Sequence, residues 1–135
     1  MIITITGLPG SGKTSVAKEL ARHLHIKHYS MGDLFRKIAK KKKIPLLELT
    51  KKGRRLSDEL DEMQKHIAKT HKNAIIDSRL GAYLIKNAGY RIYVYASLKT
   101  RVRRIAERDK KSYKAASRET LAREREELKH YKKEY

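Results

Sequence analysis

The feature that most constrains this chain is a glycine-rich loop that joins a β-branched segment to an amphipathic helix. Residues 7–14 read Gly-Leu-Pro-Gly-Ser-Gly-Lys-Thr, which matches the pattern G-x-x-x-x-G-K-[ST] in full. The run from Met1 to Thr6 predicts a short buried strand, and apolar residues at helical spacing predict a helix from Lys13 to Leu24. A strand, loop and helix in this order surround a phosphate with backbone N–H groups and the positive end of a helix dipole.

Side chains in and around this loop have separate predicted tasks. Lys13 can reach the β- and γ-phosphates of ATP, and the Thr14 hydroxyl can ligate Mg²⁺. Asp77 ends a predicted strand over residues 73–77, where open α/β sheets bind their ligands. Asp77 is therefore the second candidate for holding Mg²⁺ or its water, and the alternative is a turn or helix-cap residue. The predicted nucleotide contacts are Gly7, Leu8, Pro9, Gly10, Ser11, Gly12, Lys13, Thr14 and Ser15.

Strands and helices alternate along the rest of the sequence. This alternation predicts one α/β domain over residues 1–135, a three-layer sandwich of the P-loop NTPase type. We expect a mostly parallel sheet of about four strands with helices on both faces. The further predicted strands are 28–30 and 91–96, and the later helices are 102–108 and 114–133. Before them, Leu56, Leu60, Met63 and Ile67 predict the apolar face of a helix capped by Ser57.

Composition limits the class of partner. Lys and Arg number 34 against 15 Asp and Glu, a formal net charge of +19. Such a surface attracts polyanions, so RNA is one candidate partner, and a general lysine bias is the alternative. There is no cysteine, and no stretch approaches the ~20 apolar residues that span a membrane. We therefore expect a cytoplasmic protein with no membrane association, and assign no role to the scattered histidines.

Two short segments resemble those of a known family. Residues 30–36, Ser-Met-Gly-Asp-Leu-Phe-Arg, resemble the S/T-G-D-x-x-R segment of nucleoside monophosphate kinases in the P-loop superfamily. Residues 77–80, Asp-Ser-Arg-Leu, resemble the D-G-R stretch of the archaeal-type cytidylate kinases, with Ser78 where glycine is usual. The resemblance covers essentially the whole chain. It implies that Ser30, Asp33 and Arg36 hold the acceptor nucleotide and that Arg79 contacts its α-phosphate, a bidentate task suited to guanidinium.

The same resemblance assigns residues in two helical regions. Asp61 and Gln64 match a D-x-x-Q pattern whose donors and acceptors can read a pyrimidine edge, within an acceptor-binding insert at about 32–71. A lid is implied at about 104–131, where Arg104, Arg108 and Arg123 stabilise the transferred phosphate and Glu127 engages the acceptor sugar or the arginines. The alternatives are a solvated helix face for Asp61 and Gln64 and an ordinary i,i+4 pair for Arg123 and Glu127.

The implied activity is transfer of the ATP γ-phosphate to CMP or dCMP, although UMP and AMP stay open as acceptors. The alternative is an RNA- or ribosome-associated P-loop ATPase of the atypical adenylate kinase kind, and a third reading is a nucleotide-binding paralogue used only for assembly. The family continues beyond this point with another strand and a final helix. We therefore expect either a miniature, a fragment or a homo-oligomer in which a partner chain completes the sheet.

Overall fold

A parallel sheet lies at the centre of the protein. The computed structural model describes residues 1–52 and 54–134, and the side chains of residues 1–51 and 56–129. The sheet has four strands in the order β2-β3-β1-β4, and each adjacent pair is parallel. The strands are β1 (Ile2–Thr6), β2 (His28–Ser30), β3 (Ala74–Ser78) and β4 (Tyr90–Tyr93). The sheet that was expected to be mostly parallel is therefore parallel throughout.

Helices connect the strands and cover the sheet. Helix α1 follows the glycine-rich loop, α2 to α4 lie between β2 and β3, and α6 and α7 follow β4. Their bounds are α1 (Lys13–Leu24), α2 (Met31–Lys42), α3 (Leu46–Lys52), α4 (Arg54–Thr70), α5 (Gly81–Leu84), α6 (Leu98–Asp109) and α7 (Tyr113–Glu134). The short α5 was not predicted, and α6 begins earlier than the predicted 102.

Alternate residues of the central strands face two separate cores. Ile3 and Ile5 of β1 pack with Ala17 of α1, whereas Ile2 packs on the opposite side with residues of α2 and α4 such as Phe35. Strands β1 and β3 are buried along their whole length because helices cover both faces. A third cluster, built from residues of α6 and α7, joins those two helices to each other. The predicted three-layer α/β architecture is confirmed.

The parallel arrangement brings the carboxyl ends of three strands to one edge. In the sheet register, Asp77 of β3 lies beside Ile5 of β1 on one side and Ser30 of β2 on the other. The glycine-rich loop leaves β1 at this same edge. Sequence-distant polar groups therefore meet here because their strands all end in the same direction.

Two predictions about α4 were wrong. Ser57 does not cap the helix, because α4 begins at Arg54. Met63 is 44% exposed, whereas Gln64, which the pattern left outside the apolar face, is only 2% exposed. The buried face runs instead through Leu60, Gln64 and Ile67, which are spaced i, i+4 and i+7. A polar residue can take this position because its amide has a hydrogen-bond partner there.

Strand β4 differs from its prediction in length and environment. It ends at Tyr93 rather than at 96, and all four of its residues are exposed. It pairs only with β1, at the edge of the sheet, which leaves its side chains outside the core. The prediction that a partner chain completes the sheet stays a prediction. In the described part of the chain, no helix combines the length and the apolar run that crossing a membrane requires.

Candidate active site

The glycine-rich loop adopts a conformation that depends on its glycines. Gly10 and Gly12 have φ angles of 78° and 96°, which side-chain-bearing residues rarely adopt. A Cβ at Gly10 would also lie 2.6 Å from the carbonyl oxygen of Arg101. The loop is thus held in a curved path with α6 packed directly behind it.

Lys13 begins α1 and is almost fully buried at the end of this loop. Its Nζ lies 3.5 Å from the carbonyl oxygen of Leu8. Burial lowers the pKa of Lys13 to about 8, an effect that Asp77 opposes and the neighbouring arginines reinforce. A bound polyanion would stabilise the charged form of this lysine, because it replaces the interaction with water that burial removed.

Asp77 is completely buried and is surrounded by hydrogen-bond donors. The hydroxyl groups of Thr14 and Ser30 donate to its Oδ1 over 3.1 and 3.2 Å. His28 Nε2 contacts the other oxygen, Oδ2. The Ser30 hydroxyl also accepts a hydrogen bond from the backbone N–H of Asp33 and so caps α2. Asp77 and Thr14 therefore place oxygen atoms side by side, the donor type that Mg²⁺ prefers.

Four cationic side chains from separate elements line one cavity beside the loop. Lys13 comes from α1, Arg36 from α2, Arg79 from the turn after β3 and Arg123 from α7, and the cavity volume is about 270 Å³. The Glu127 carboxylate contacts Arg79 and lies 3.2 Å from Nε of Arg123. The whole lining has six cationic side chains against three carboxylates, so the cavity keeps an excess of positive charge. The cations are Lys13, Arg36, Lys51, Arg79, Arg123 and Lys129, and the carboxylates are Asp61, Glu126 and Glu127.

Arg123 is held in place by its surroundings. Its guanidinium carbon lies 5.3 Å from the centre of the Phe35 ring. Burial lowers the pKa of Arg123, which Glu127 counteracts. Its ordinary value is so high that the guanidinium stays charged at neutral pH.

Another part of the cavity lining is polar rather than cationic. Asp61 and Gln64 of α4 line it together with Ser78. The Ser78 hydroxyl donates to Gln64 Oε1 over 2.8 Å, and Gln64 Nε2 lies 3.5 Å from Asp61 Oδ1. The same cavity is thus lined both by cationic groups and by uncharged and acidic hydrogen-bonding groups.

Some predicted site residues lie outside this cavity lining. Arg104 donates to the carbonyl oxygen of Gly10 over 3.2 Å, so it contacts the loop from behind. Arg108 pairs with the adjacent Asp109 at 2.9 Å, and it shares a smaller cleft with Arg123. Asp33 pairs with Arg36 and holds that side chain. Ser15 is exposed on α1.

The neighbours of the site that the sequence analysis missed include His28 and Arg101. His28 was given no role, yet it contacts Asp77. The alternation of side chains along β2 could have indicated this contact, because it places His28 and Ser30 on the same face. Arg101 is 5% exposed, and it donates to the carbonyl oxygen of Pro9 over 3.3 Å and to Glu124 over 2.6 Å. Its position one helical turn before Arg104 could have indicated this contact, because both residues then lie on the side of α6 that faces the loop.

The fold and the loop define the class, a P-loop α/β fold that solved kinases share. Shikimate kinase from Bacteroides thetaiotaomicron superposes with a TM-score of 0.58 at 17% identity, covering 98% of this chain and 82% of that one. A putative kinase from Chloroflexus aurantiacus gives a TM-score of 0.63 at 20% identity, covering 92% and 78%. At these identities the likeness concerns the fold alone.

Sequence comparison identifies the family within that class. Residues 2–135 match the model of the cytidylate kinase-like family. The chain is 41% identical over 128 residues to cytidylate kinase of Sulfurisphaera tokodaii, covering 92% of this chain and 71% of the relative. It is 37% identical over 138 residues to that of Archaeoglobus fulgidus, covering 100% and 77%. The chain belongs to the cytidylate kinase-like family.

Proposed function

We propose that this protein transfers the γ-phosphate of ATP to CMP or dCMP. The observation that carries the proposal is the single cavity on which Lys13, Arg36, Arg79 and Arg123 converge beside the phosphate-binding loop. The triphosphate of ATP and the phosphate of the acceptor would meet there, and they require this density of positive charge. Phosphoryl transfer is catalysed mainly by alignment and electrostatic stabilisation. The cytidylate kinase relatives support a cytidine nucleotide as the acceptor.

The donor nucleotide is assigned to the loop side of the cavity. Backbone N–H groups of residues 7–15 and the start of α1 hold the phosphates of ATP, and Lys13 bridges towards the γ-phosphate. Phosphate beside Lys13 raises the pKa of its ammonium group again and keeps it charged. Thr14 and Asp77 are the residues that would hold Mg²⁺, which neutralises charge on the transferring group when it is bound.

The acceptor is assigned to the remainder of the cavity. Arg36 and Arg79 hold the α-phosphate of the monophosphate, and Asp33 and Ser30 position Arg36 and the start of α2. Asp61 and Gln64 hydrogen-bond to the base. Glu127 reduces the repulsion between Arg79 and Arg123. When the acceptor binds, the carboxylate can release one of these arginines and accept a hydrogen bond from the acceptor sugar.

Two regions around the cavity have separate roles in the proposed enzyme. Residues at about 32–71 are the acceptor-binding insert, and those at about 104–131 are the lid. Helix α7 packs against α3 and α6, so the two parts meet across the cavity. Arg123 then reaches the transferring phosphate from the lid, while Arg104 and Arg108 support the loop and the lid from outside.

The test is ADP formation in a coupled assay with ATP, Mg²⁺ and each nucleoside monophosphate in turn. We expect strong stimulation by CMP and dCMP, and no stimulation by any monophosphate would contradict the proposal. Arg79→Ala should reduce CMP phosphorylation by about 10²-fold or more, as losses of charge-stabilising groups do. Arg22→Ala, which removes an exposed arginine on α1, is the matched control. The RNA-associated alternative would be favoured if Arg79→Ala kept both the ATP hydrolysis and the salt-dependent RNA binding of the wild type.

A further inference from the structure

A buried hydrogen-bonded chain lies along the polar part of the cavity lining. It runs from the Ser78 hydroxyl to the Gln64 amide over 2.8 Å and from that amide to Asp61 over 3.5 Å. Ser78 is 3% exposed and Gln64 is 2% exposed, so water does not compete for either group. A buried polar group is costly unless it is paired, and this pairing is what allows Gln64 to lie in the apolar face of α4.

The chemistry of these groups determines which way the amide points. The Asp61 carboxylate oxygen is the acceptor in its bond with Gln64, so the amide turns its NH₂ group towards Asp61. Gln64 Oε1 then faces Ser78, and the hydroxyl is the donor in that bond. The reverse orientation would place two acceptors against each other at Asp61. Ser78 and Asp61 thus fix the amide from opposite sides.

The space around Ser78 reinforces this arrangement. A Cβ at Gly81, the first residue of α5, would lie 2.7 Å from Ser78 Oγ and 3.5 Å from Gln64 Oε1. The start of α5 therefore closes over the hydroxyl, and little room is left for another rotamer. Ser78 stands where glycine is usual in the family that the sequence resembles, and glycine provides no such donor.

The fixed amide offers a defined pattern to a ligand. One N–H of Gln64 Nε2 faces Asp61, and the second is left for an acceptor in the cavity that Gln64 lines. A carboxylate acceptor next to an N–H donor complements the amino group and N3 of cytosine. Uracil carries the opposite pattern, a carbonyl oxygen beside an N–H, and would meet acceptor with acceptor and donor with donor.

We propose that Ser78 is a specificity-determining positioning residue, which locks the Gln64 amide so that the site accepts an amino pyrimidine and rejects a keto pyrimidine. This inference rests on the proposed function, because it concerns the acceptor nucleotide of that reaction. The Ser78 hydroxyl is bonded to Gln64, and its effect is exerted through that amide.

The first experiment compares CMP and UMP as acceptors for the wild type and for Ser78→Ala. We expect KM for CMP to rise about 5- to 20-fold, because the variant leaves a buried carbonyl without its donor. We expect kcat with CMP to change less than about twofold, since the interaction is made equally in the ground and transition states. The preference for CMP over UMP in kcat/KM should fall about tenfold. Ser78→Gly is the second variant, and Thr70→Val, on the exposed surface of α4, is the control.

A double-mutant cycle separates positioning from a merely structural role. Ser78→Ala in a Gln64→Met background should change neither KM for CMP nor the CMP/UMP preference by more than about twofold, because the group through which Ser78 acts is gone. Full additivity of the two substitutions would overturn the proposal. An unchanged CMP/UMP preference in both Ser78 variants would overturn it as well.

Calorimetric binding of CMP and UMP distinguishes failure of this inference from failure of the proposed function. If the wild type transfers phosphate to no monophosphate, the proposed function is wrong. The inference then still requires that Ser78→Ala weaken CMP binding more than UMP binding. Absence of CMP binding by the wild type would refute both. Normal CMP phosphorylation with an unaffected Ser78→Ala variant would refute the inference alone.

Discussion

Lys13→Met is expected to make the folded protein more stable at neutral pH while it abolishes phosphoryl transfer. Burial lowers the pKa of Lys13 from 10.5 to about 8, so the folded state penalises the charged ammonium group. One pKa unit corresponds to about 1.4 kcal/mol, and the charged form therefore destabilises the fold by about 3 kcal/mol. Methionine has a similar length and no charge, so the substitution removes this penalty.

The pH dependence of the effect has a definite sign. Below pH 8 the lysine is protonated in both the folded and the unfolded states, and the full penalty applies. Between about 8 and 10.5 the folded state has released the proton while the unfolded state retains it. The unfolded state then binds more protons, so the contribution of this lysine to stability rises with pH. The advantage of Lys13→Met should shrink through this window and vanish above it.

Urea unfolding of both proteins at pH 7, 9 and 10.5 measures this difference, and ADP formation with CMP measures activity. Lys18→Met, an exposed lysine on the same helix, is the control and should show no comparable change in stability. We expect the activity of Lys13→Met to fall by at least about 10²-fold. A variant that is less stable than the wild type at pH 7, or a stability difference independent of pH, would refute the reasoning.

Two further predictions concern residues that support the site. Arg101→Met should destabilise the protein by about 3 kcal/mol because it leaves Glu124 without its buried partner. Adding Glu124→Leu should recover much of this loss in urea unfolding. Additive effects of the two substitutions would contradict the prediction. Phe35→Leu should keep the core packed but remove the ring beneath Arg123, which lowers kcat/KM by about 2- to 10-fold. A loss confined to thermal stability, with unchanged kinetics, would show that Phe35 acts only in packing.

The phosphate-binding loop was readable from the sequence because it is contiguous. All of its residues lie between 7 and 14, and its glycine conformations are local requirements of the backbone. The family was also readable, since the segments at 30–36 and 77–80 are short and continuous, and the comparisons confirm it. The parallel sheet followed from the alternation of strands and helices.

The contacts between distant segments were readable only in part. Asp77 could be placed at the ligand edge because it ends a strand, but its pairing with His28 depends on β2 and β3 being neighbours. Arg101 looked like one of many basic residues, because its burial depends on how α6 packs against the loop and α7. For Gln64 the sequence left a base-binding role and a solvated helix face both open, because its burial depends on how α4 packs on the end of β3.

The sequence by itself determined the loop, the alternation of elements and the family of this protein, because each is encoded in the local order of residues. Only the tertiary structure decided which polar groups meet. The register of parallel strands brings Ser30 beside Asp77, and the packing of α4 on the end of β3 brings Gln64 to Ser78. Ser78, where the sequence departs from the family pattern, is thus a hydrogen-bond donor in the cavity lining, and that contact depends on a partner 14 residues away.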